Sequence, residues 1–131
     1  AEVNTRIVVA DDQPLVRAGV CNLLSCNPTW HICGEAGDGE EAVEKVRNLK
    51  PDVIVLDIRM PVMDGIAAAR KIRQISPATK ILIFSMDDGE QVYADVRLAG
   101  ADAFVSKTEH PSSLIDAVKR LVGMKTLGYV S

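Results

Sequence analysis

Short runs of branched apolar residues recur along the chain, and each run is followed by polar residues and a turn. In one of them, Val53–Leu56 is followed by Asp57 and by a loop that holds Pro61 and Gly65. An apolar run of this length predicts a strand that is buried on both faces of a sheet. The pattern predicts five strands in all, the second of them a short edge strand: residues 7–10, 30–36, 53–57, 81–84 and 103–105.

Between these runs, apolar residues recur every three or four positions, which indicates amphipathic helices. Pro14 suits a first helical turn, while Asp38 and Asp64 suit the position that caps a helix N-terminus. The last pattern begins at Pro111 and is predicted to end at Gly123. The predicted helices, with their caps, cover five stretches: residues 14–26, 38–50, 64–75, 88–100 and 111–123.

Five strands that alternate with five helices predict right-handed crossovers and a parallel sheet with helices on both faces. The expected fold class is therefore a doubly wound α/β domain. A chain of 131 residues is long enough for one such domain with its own core. We assign residues 1–123 to this domain, and residues 124–131, which show no pattern, to a C-terminal tail or the start of a linker.

The composition limits the partners that this chain is expected to have. It is 47% hydrophobic and 25% charged with a formal net charge of -3, which gives no electrostatic reason to expect direct binding to nucleic acid or to a membrane. The apolar runs are far shorter than the roughly 20 residues that span a bilayer, and residues 1–5 lack a cationic start to a signal peptide. We expect a cytoplasmic protein whose partners are proteins or small ligands. Cys21, Cys26 and Cys33 lack the spacing of a zinc site, so we expect buried or idle thiols.

Polar side chains follow four of the five predicted strands. They are Asp11 and Asp12 after the first strand, Asp57 at the end of the third, Ser85 after the fourth and Lys107 after the fifth. The carboxyl ends of parallel strands form the ligand crevice of an open α/β sheet, so these groups are expected to converge. Any one of them alone more often caps a helix or faces solvent. Their combination is what indicates a site.

The chemistry of these groups favours a cation and an anion bound together. Three convergent carboxylates repel one another by about 4 kcal/mol per pair at about 4 Å in an effective dielectric near 20, so a positive charge is expected among them. Oxygen ligands in an open cleft suit Mg²⁺, whereas the Lys107 ammonium suits an anion. The combination predicts a site for Mg²⁺ and a phosphoryl group, in which Asp57 is the nucleophile that forms an aspartyl phosphate.

A family resemblance rests on these motifs: the Asp11-Asp12 pair, Asp57 followed by Met60-Pro61 and Asp64-Gly65, Ser85 after an apolar strand, and Lys107 after Phe104. Together they resemble the receiver domain of two-component response regulators, over residues 5–122. The resemblance implies a flavodoxin-like (βα)5 sheet with the strand order 2-1-3-4-5. It also implies that Asp57 accepts a phosphoryl group from a phosphohistidine on a sensor histidine kinase.

The resemblance implies roles for the individual acids as well. Asp12, Asp57 and the backbone carbonyl of Arg59 are the implied Mg²⁺ ligands, and Asp11 is implied to act through a water molecule. These assignments make Mg²⁺ the expected cofactor.

Ser85 and Lys107 are implied to contact the phosphoryl oxygens. The family further implies a switch, in which the Ser85 hydroxyl moves toward the phosphoryl group and the aromatic ring of Phe104 turns inward. The face formed by the fourth helix, the fifth strand and the fifth helix would then change shape. Phe104 also fits plain core packing, and that alternative stays open.

Several positions near the site are variable or depart from the family pattern. Arg59 and Asp87 each lie two residues beyond a site residue, where they are placed to orient or block a hydrolytic water. Met86 is bulky where many receivers have a small residue, which restricts access to Asp57. We hypothesise that these three residues set the lifetime of the aspartyl phosphate. Thr108 stands where many relatives have a proline after a cis bond, so the isomer of the bond before it is open.

Residues 11–17 and 84–86 look more like the LuxR-type transcriptional branch, whose receivers precede a helix-turn-helix domain. This implies transcription regulation, with a DNA-binding effector domain in the full-length chain and a homodimer on phosphorylation. We expect a phosphoacceptor and not an enzyme that turns over other substrates.

Two alternatives are weighed against a phosphoacceptor. A Mg²⁺-dependent phosphohydrolase on a similar sheet also uses an aspartate nucleophile, but Arg59 stands where its second aspartate is expected, and no insertion could form a cap. A degenerate receiver that acts only as an interaction domain is disfavoured because no site position is missing.

Overall fold

The computed structural model describes the backbone of residues 5–130 and the side chains of residues 5–123. Strands and helices alternate along it: β1 Thr5–Ala10, α1 Pro14–Ser25, β2 Trp30–Ala36, α2 Gly39–Leu49, β3 Val53–Leu56, α3 Gly65–Ile75, β4 Lys80–Ser85, α4 Glu90–Leu98, β5 Ala103–Ser106 and α5 Pro111–Val130. The strands form one parallel sheet in the order β2-β1-β3-β4-β5. The predicted doubly wound fold, its strand order and the edge position of β2 are confirmed.

The alternation of side chains along the central strands builds a core on each face of the sheet. On β3, Ile54 and Leu56 pack into one apolar cluster, and Val53 and Val55 pack into the other. All four side chains are buried, because helices cover both faces. This explains why every residue of β3 is apolar and why the first polar residue, Asp57, follows its end.

Two helices begin at the predicted caps, whereas α4 begins at Glu90 with Gly89, and not Asp88, at the cap position. The Asp38 carboxylate accepts a hydrogen bond from the Glu41 N–H at 2.7 Å, and the Asp64 carboxylate accepts one from the Ala67 N–H at 2.8 Å. Each cap satisfies a backbone donor that has no partner within the helix. After α4, Gly100 has a φ of +100°, a conformation that favours glycine and turns the chain into β5.

The predicted end of the last helix is wrong. α5 continues through Gly123 to Val130. A glycine inside a helix costs only about 1 kcal/mol relative to alanine, so it lowers helix stability without stopping the helix. The assignment of residues 124–131 to a tail or linker stays a prediction, and residues 1–4 and 131 of the predicted spans lie outside the described residues.

The described residues also show the lengths of the helices and the isomers of the peptide bonds. None of the helices within residues 5–130 has the combined length and apolarity that crossing a bilayer requires. Every peptide bond in the described part of the chain is trans, including the bond between Lys107 and Thr108.

Candidate functional site

The acidic residues after β1 and β3 lie side by side, because these two strands are neighbours in the sheet. The Asp57 N–H donates to the Ala10 carbonyl at 3.0 Å, which continues the pairing of the strands by one residue. Asp11 and Asp57 are buried, whereas Asp12 is exposed. One carboxylate oxygen from each of the three lies within 4.8 Å of the others. The predicted cluster of three aspartates is therefore present at the switch point of the sheet.

Lys107, which follows β5, reaches across the strand ends into this cluster. Its Nζ lies 2.7 Å from Asp11 Oδ2 and 3.0 Å from Asp57 Oδ2. The aliphatic part of the side chain brings the ammonium to 5.8 Å from the centre of the Phe84 ring. The lysine thus supplies the positive charge that two buried carboxylates need.

The remaining oxygens of the two buried carboxylates are held by the backbone. Asp57 Oδ1 accepts from the Ile58 N–H at 2.8 Å, and Asp11 Oδ1 accepts from the Gln13 N–H at 2.9 Å. Each carboxylate is therefore fixed in rotation, with one oxygen on the main chain and the other facing Lys107.

The protonation of these groups reflects burial and mutual charge. Burial raises the pKa of Asp57, and the charge of Asp11 acts in the same direction, while the hydrogen bond and charge of Lys107 oppose both. Burial alone would lower the pKa of Lys107. The hydrogen bonds and charges of Asp11 and Asp57 outweigh it, so the pKa of Lys107 is raised and the ammonium stays charged.

The loop after β3 is folded tightly against Asp57. The Gly65 N–H donates to the Ile58 carbonyl at 2.7 Å. A Cβ atom at Gly65 would lie 1.9 Å from the Asp57 carbonyl oxygen, which no side chain can tolerate. The Asp-Gly pair that opens α3 therefore serves two purposes: Asp64 caps the helix, and Gly65 lets the loop approach the end of β3.

The site opens into a cleft of about 410 Å³. Its lining includes four of the five polar residues predicted at the strand ends, together with four neighbours: Asp12, Asp57, Ser85 and Lys107, with Gln13, Val16, Arg59 and Met86. At its edge, Arg59 Nε and Asp87 Oδ2 form an ion pair at 2.6 Å. Met86 is 62% exposed beside it. The three residues predicted to tune the phosphate lifetime thus lie together, although the sequence did not predict that two of them pair.

The two predicted switch residues have partners outside the cleft. Ser85 is buried, and its Oγ accepts from the Asp87 N–H at 3.1 Å. Phe104 is partly buried and packs edge-to-face against Tyr93 of α4, with 4.6 Å between ring centres. Sequence reasoning missed Tyr93, because the helical spacing of α4 placed Val92 and Val96 inward and gave no signal for a ring on the flank.

The donor set of the acidic cluster fits Mg²⁺. It consists of three carboxylates, which are hard oxygen ligands, beside an open cleft that can hold water. The cysteines Cys21, Cys26 and Cys33 belong to other parts of the fold, so the cluster has no soft ligand that would favour zinc.

The topology and the acidic strand ends define a flavodoxin-like α/β domain with its site at the switch point. The chain belongs to the response regulator receiver domain family, which it matches over residues 7–119. The resemblance inferred from the motifs is therefore confirmed.

The chain is similar to individual regulatory proteins over most of its own length. It is 40% identical over 114 residues to the transcriptional regulatory protein YxjL of Bacillus subtilis, covering 87% of this chain and 52% of that protein. It is 36% identical over 112 residues to the nitrate/nitrite response regulator protein NarL of Escherichia coli, covering 86% and 52%. The chain spans about half the length of these curated relatives.

A solved structure supports the LuxR-type assignment. The two-component response regulator of the LuxR family from Aurantimonas sp. SI85-9A1 has a TM-score of 0.87 and 37% sequence identity to this chain. The match covers 92% of this chain and 86% of that one.

Proposed function

We propose that this chain is a phospho-accepting signalling module, in which Asp57 takes a phosphoryl group from a phosphohistidine on a sensor histidine kinase. The observation that carries the proposal is the position of Lys107 Nζ, which bridges Asp57 Oδ2 and Asp11 Oδ2 at 3.0 and 2.7 Å within the acidic cluster. A buried carboxylate beside a fixed ammonium and two further acids has the groups that phosphoryl transfer to an aspartate requires.

In the proposed reaction, an oxygen of the Asp57 carboxylate attacks phosphorus and the bond from phosphorus to the histidine nitrogen breaks. The electron pair of that bond stays on the imidazole nitrogen. Asp57 is held for this attack by the Ile58 N–H, and Lys107 then pairs with a phosphoryl oxygen in place of the carboxylate charge.

Mg²⁺ would be held by Asp12, Asp57 and the backbone carbonyl of Arg59, with Asp11 acting through water, and it would neutralise charge on the phosphoryl oxygens. This assignment is supported by the distances among Asp11, Asp12 and Asp57, since one carboxylate oxygen of each lies within 4.8 Å of the others. The role of the chain itself is to hold the acids together before any cation arrives, which Lys107 does by pairing with two of them.

Ser85 and Phe104 are the proposed switch residues. The phosphoryl group adds negative charge and acceptors, which draw the Ser85 hydroxyl away from the Asp87 N–H. Phe104 then turns inward and leaves the ring of Tyr93. The surface of α4, β5 and α5 changes, and we propose that it controls a DNA-binding effector domain and a homodimer in the full-length regulator.

Arg59, Asp87 and Met86 are proposed to set the lifetime of the aspartyl phosphate. The ion pair between Arg59 and Asp87 stands at the edge of the cleft, and the Met86 side chain lies next to it. Both features limit the approach of water to the acyl phosphate.

The test is incubation of the purified chain with Mg²⁺ and acetyl phosphate, followed by mass spectrometry of the intact protein. We expect the mass of one phosphoryl group to be added, and none in Asp57→Asn. Asp38→Asn is the matched control, because it changes another aspartate to a residue that also caps helices well. A wild-type chain that gains no mass, or that steadily releases phosphate from small phosphomonoesters, contradicts the proposal.

A further inference from the structure

Ser106 is a buried hydroxyl directly before Lys107 in the chain and opposite Ser85 in the register of β4 and β5. Its Oγ lies 3.2 Å from Asp88 Oδ2 and 2.8 Å from Thr108 Oγ1, and it also accepts from the Thr108 N–H at 3.2 Å.

The direction of these hydrogen bonds follows from the groups involved. An ionised carboxylate can only accept, so the single hydroxyl proton of Ser106 goes to Asp88. The Thr108 hydroxyl must then donate to Ser106, which leaves Ser106 Oγ with one bond donated and two accepted. The hydrogen bonds at Ser106 Oγ therefore have one arrangement of protons.

The same serine closes the turn from which Lys107 extends. The Ser106 N–H donates to Glu109 Oε2 at 2.9 Å, and the Ser106 carbonyl accepts from the Glu109 N–H at 3.1 Å. The Lys107 N–H donates to the Ser85 carbonyl at 2.9 Å. The backbone of Lys107 is therefore fixed on both sides, and Ser106 contributes most of the bonds that fix it.

Ser106 also joins this turn to the loop between β4 and α4. In that loop, the Asp87 N–H is held by Ser85 Oγ, and the Asp88 carboxylate is held by Ser106 Oγ. Two serines that are neighbours in the sheet thus hold two consecutive residues of one loop. The bond between Asp88 and Ser106 therefore links this loop to the Lys107 turn.

We propose that Ser106 is a positioning residue, which acts through Lys107: its hydroxyl, held between Thr108 and Asp88, sets where the ammonium lies against Asp57. The inference rests on the proposed function for its effect on phosphoryl transfer.

The variants that test this are made at Thr108, because its side chain is exposed and its replacement leaves the core intact. Thr108→Val keeps the shape and removes the hydroxyl that donates to Ser106, while Thr108→Ser keeps that hydroxyl. Ser112→Ala is the matched control, since it removes an exposed hydroxyl a few residues away that bonds only to His110 among the contacts described.

Two measurements separate the inference from the proposed function. The first is the rate constant of phosphorylation by acetyl phosphate at saturating Mg²⁺, which we expect Thr108→Val to lower about threefold to tenfold, with Thr108→Ser and Ser112→Ala close to wild type. The second is the NMR resonance of the Asp57 side-chain carboxyl carbon in the unphosphorylated protein. It reports the contact with Lys107, and we expect it to shift only in Thr108→Val.

A Thr108→Val protein with wild-type rate and an unshifted Asp57 carboxyl resonance overturns the inference. If the wild-type chain takes up no phosphate, the proposed function fails. The positioning role of Ser106 is then tested by the Asp57 carboxyl resonance alone. A shift in Thr108→Val that Thr108→Ser lacks then supports positioning by the Ser106 network, and the absence of a shift rejects it.

Discussion

Arg59 and Asp87 lie two residues beyond Asp57 and Ser85 and meet across the edge of the cleft, with 2.6 Å between Nε and Oδ2. The pair joins the loop after β3 to the loop after β4. The Arg59 side chain is 80% exposed to solvent. The proposed effect of the pair is therefore on the access of water and not on the stability of the fold.

Arg59→Ala and Asp87→Ala should each speed the loss of phosphate from phosphorylated Asp57, because either change opens the cleft edge to water. Exposed ion pairs make small contributions, so we expect an increase of up to about fivefold. The measurement is the decay of the phosphorylated mass after acetyl phosphate is removed. Lys71→Ala, which removes another exposed cation, serves as the control.

The double variant gives a sharper result. If the two side chains act as a pair, the combined change should equal either single change instead of their product. Unchanged decay in both single variants would show that the pair has no role in phosphate lifetime.

Mg²⁺ should stabilise the chain against heat through the acidic cluster. At about 100 times its dissociation constant, a ligand that binds only the folded state raises the free energy of unfolding by about 2.7 kcal/mol. We expect this increase in thermal unfolding of wild type and a clear reduction in Asp12→Asn, whose carboxylate is exposed and available to a cation. Asp38→Asn should respond as wild type does, and an equal response in Asp12→Asn would place the ion elsewhere.

Two glycines should respond in opposite directions to replacement by alanine. Gly65→Ala places a Cβ 1.9 Å from the Asp57 carbonyl oxygen, so we expect the free energy of unfolding to fall by more than about 2 kcal/mol. Gly19→Ala in α1 meets no atom within 4 Å and should raise it by about 0.5–1 kcal/mol. Urea unfolding of both proteins measures the difference, and equal effects would contradict the close approach at Gly65.

Val62 should be a source of strain in the loop after β3. Its φ of 69° lies in the left-handed region, which a β-branched residue rarely adopts, and its side chain is 75% exposed. Val62→Gly relieves the strain but gives the unfolded chain more freedom, so we expect a net gain of about 1 kcal/mol in urea unfolding. Val62→Ala keeps a Cβ and should gain less; a Val62→Gly protein that is less stable than wild type would contradict the strain.

The thiol of Cys21 should react slowly with alkylating agents at neutral pH. Its pKa is raised to about 11, first by burial and then by the charge and hydrogen bond of Glu35, against the opposing charge of Arg17. Only the thiolate reacts, and its fraction falls about tenfold for each pH unit below the pKa.

Peptide mapping after timed exposure to iodoacetamide should therefore show that the rate of Cys21 labelling rises steeply from about pH 8 to about pH 11, because the raised pKa delays formation of the thiolate. Glu35→Gln should move the rise to lower pH. Labelling of Cys21 that is fast and independent of pH would show that the thiol is not held as described.

Much of the fold was predictable because the relevant signals are local. Apolar runs, caps such as Asp38 and Asp64, and the alternation of strands with helices leave few topologies open. The end of α5 was not predictable from Gly123, because a single glycine weakens a helix without ending it.

Some contacts of the site were predictable from the sequence and others were not. Asp11, Asp57 and Lys107 could be placed together because the carboxyl ends of parallel strands share one edge of the sheet. The partners of Ser106 could not, since they depend on the register of β4 with β5 and on the path of the intervening loop. Local patterns carry no information on such contacts.

The pairing of Lys107 with Asp11 and Asp57 also bears on how any affinity at this site should be interpreted. The lysine is a counterion that the chain carries for itself, so a divalent ion bound here would compete with a charge already in place. A measured dissociation constant would therefore report the difference between two cations competing for the same oxygens. We expect the acids of this domain to be weaker chelators than three unpaired carboxylates at the same spacing.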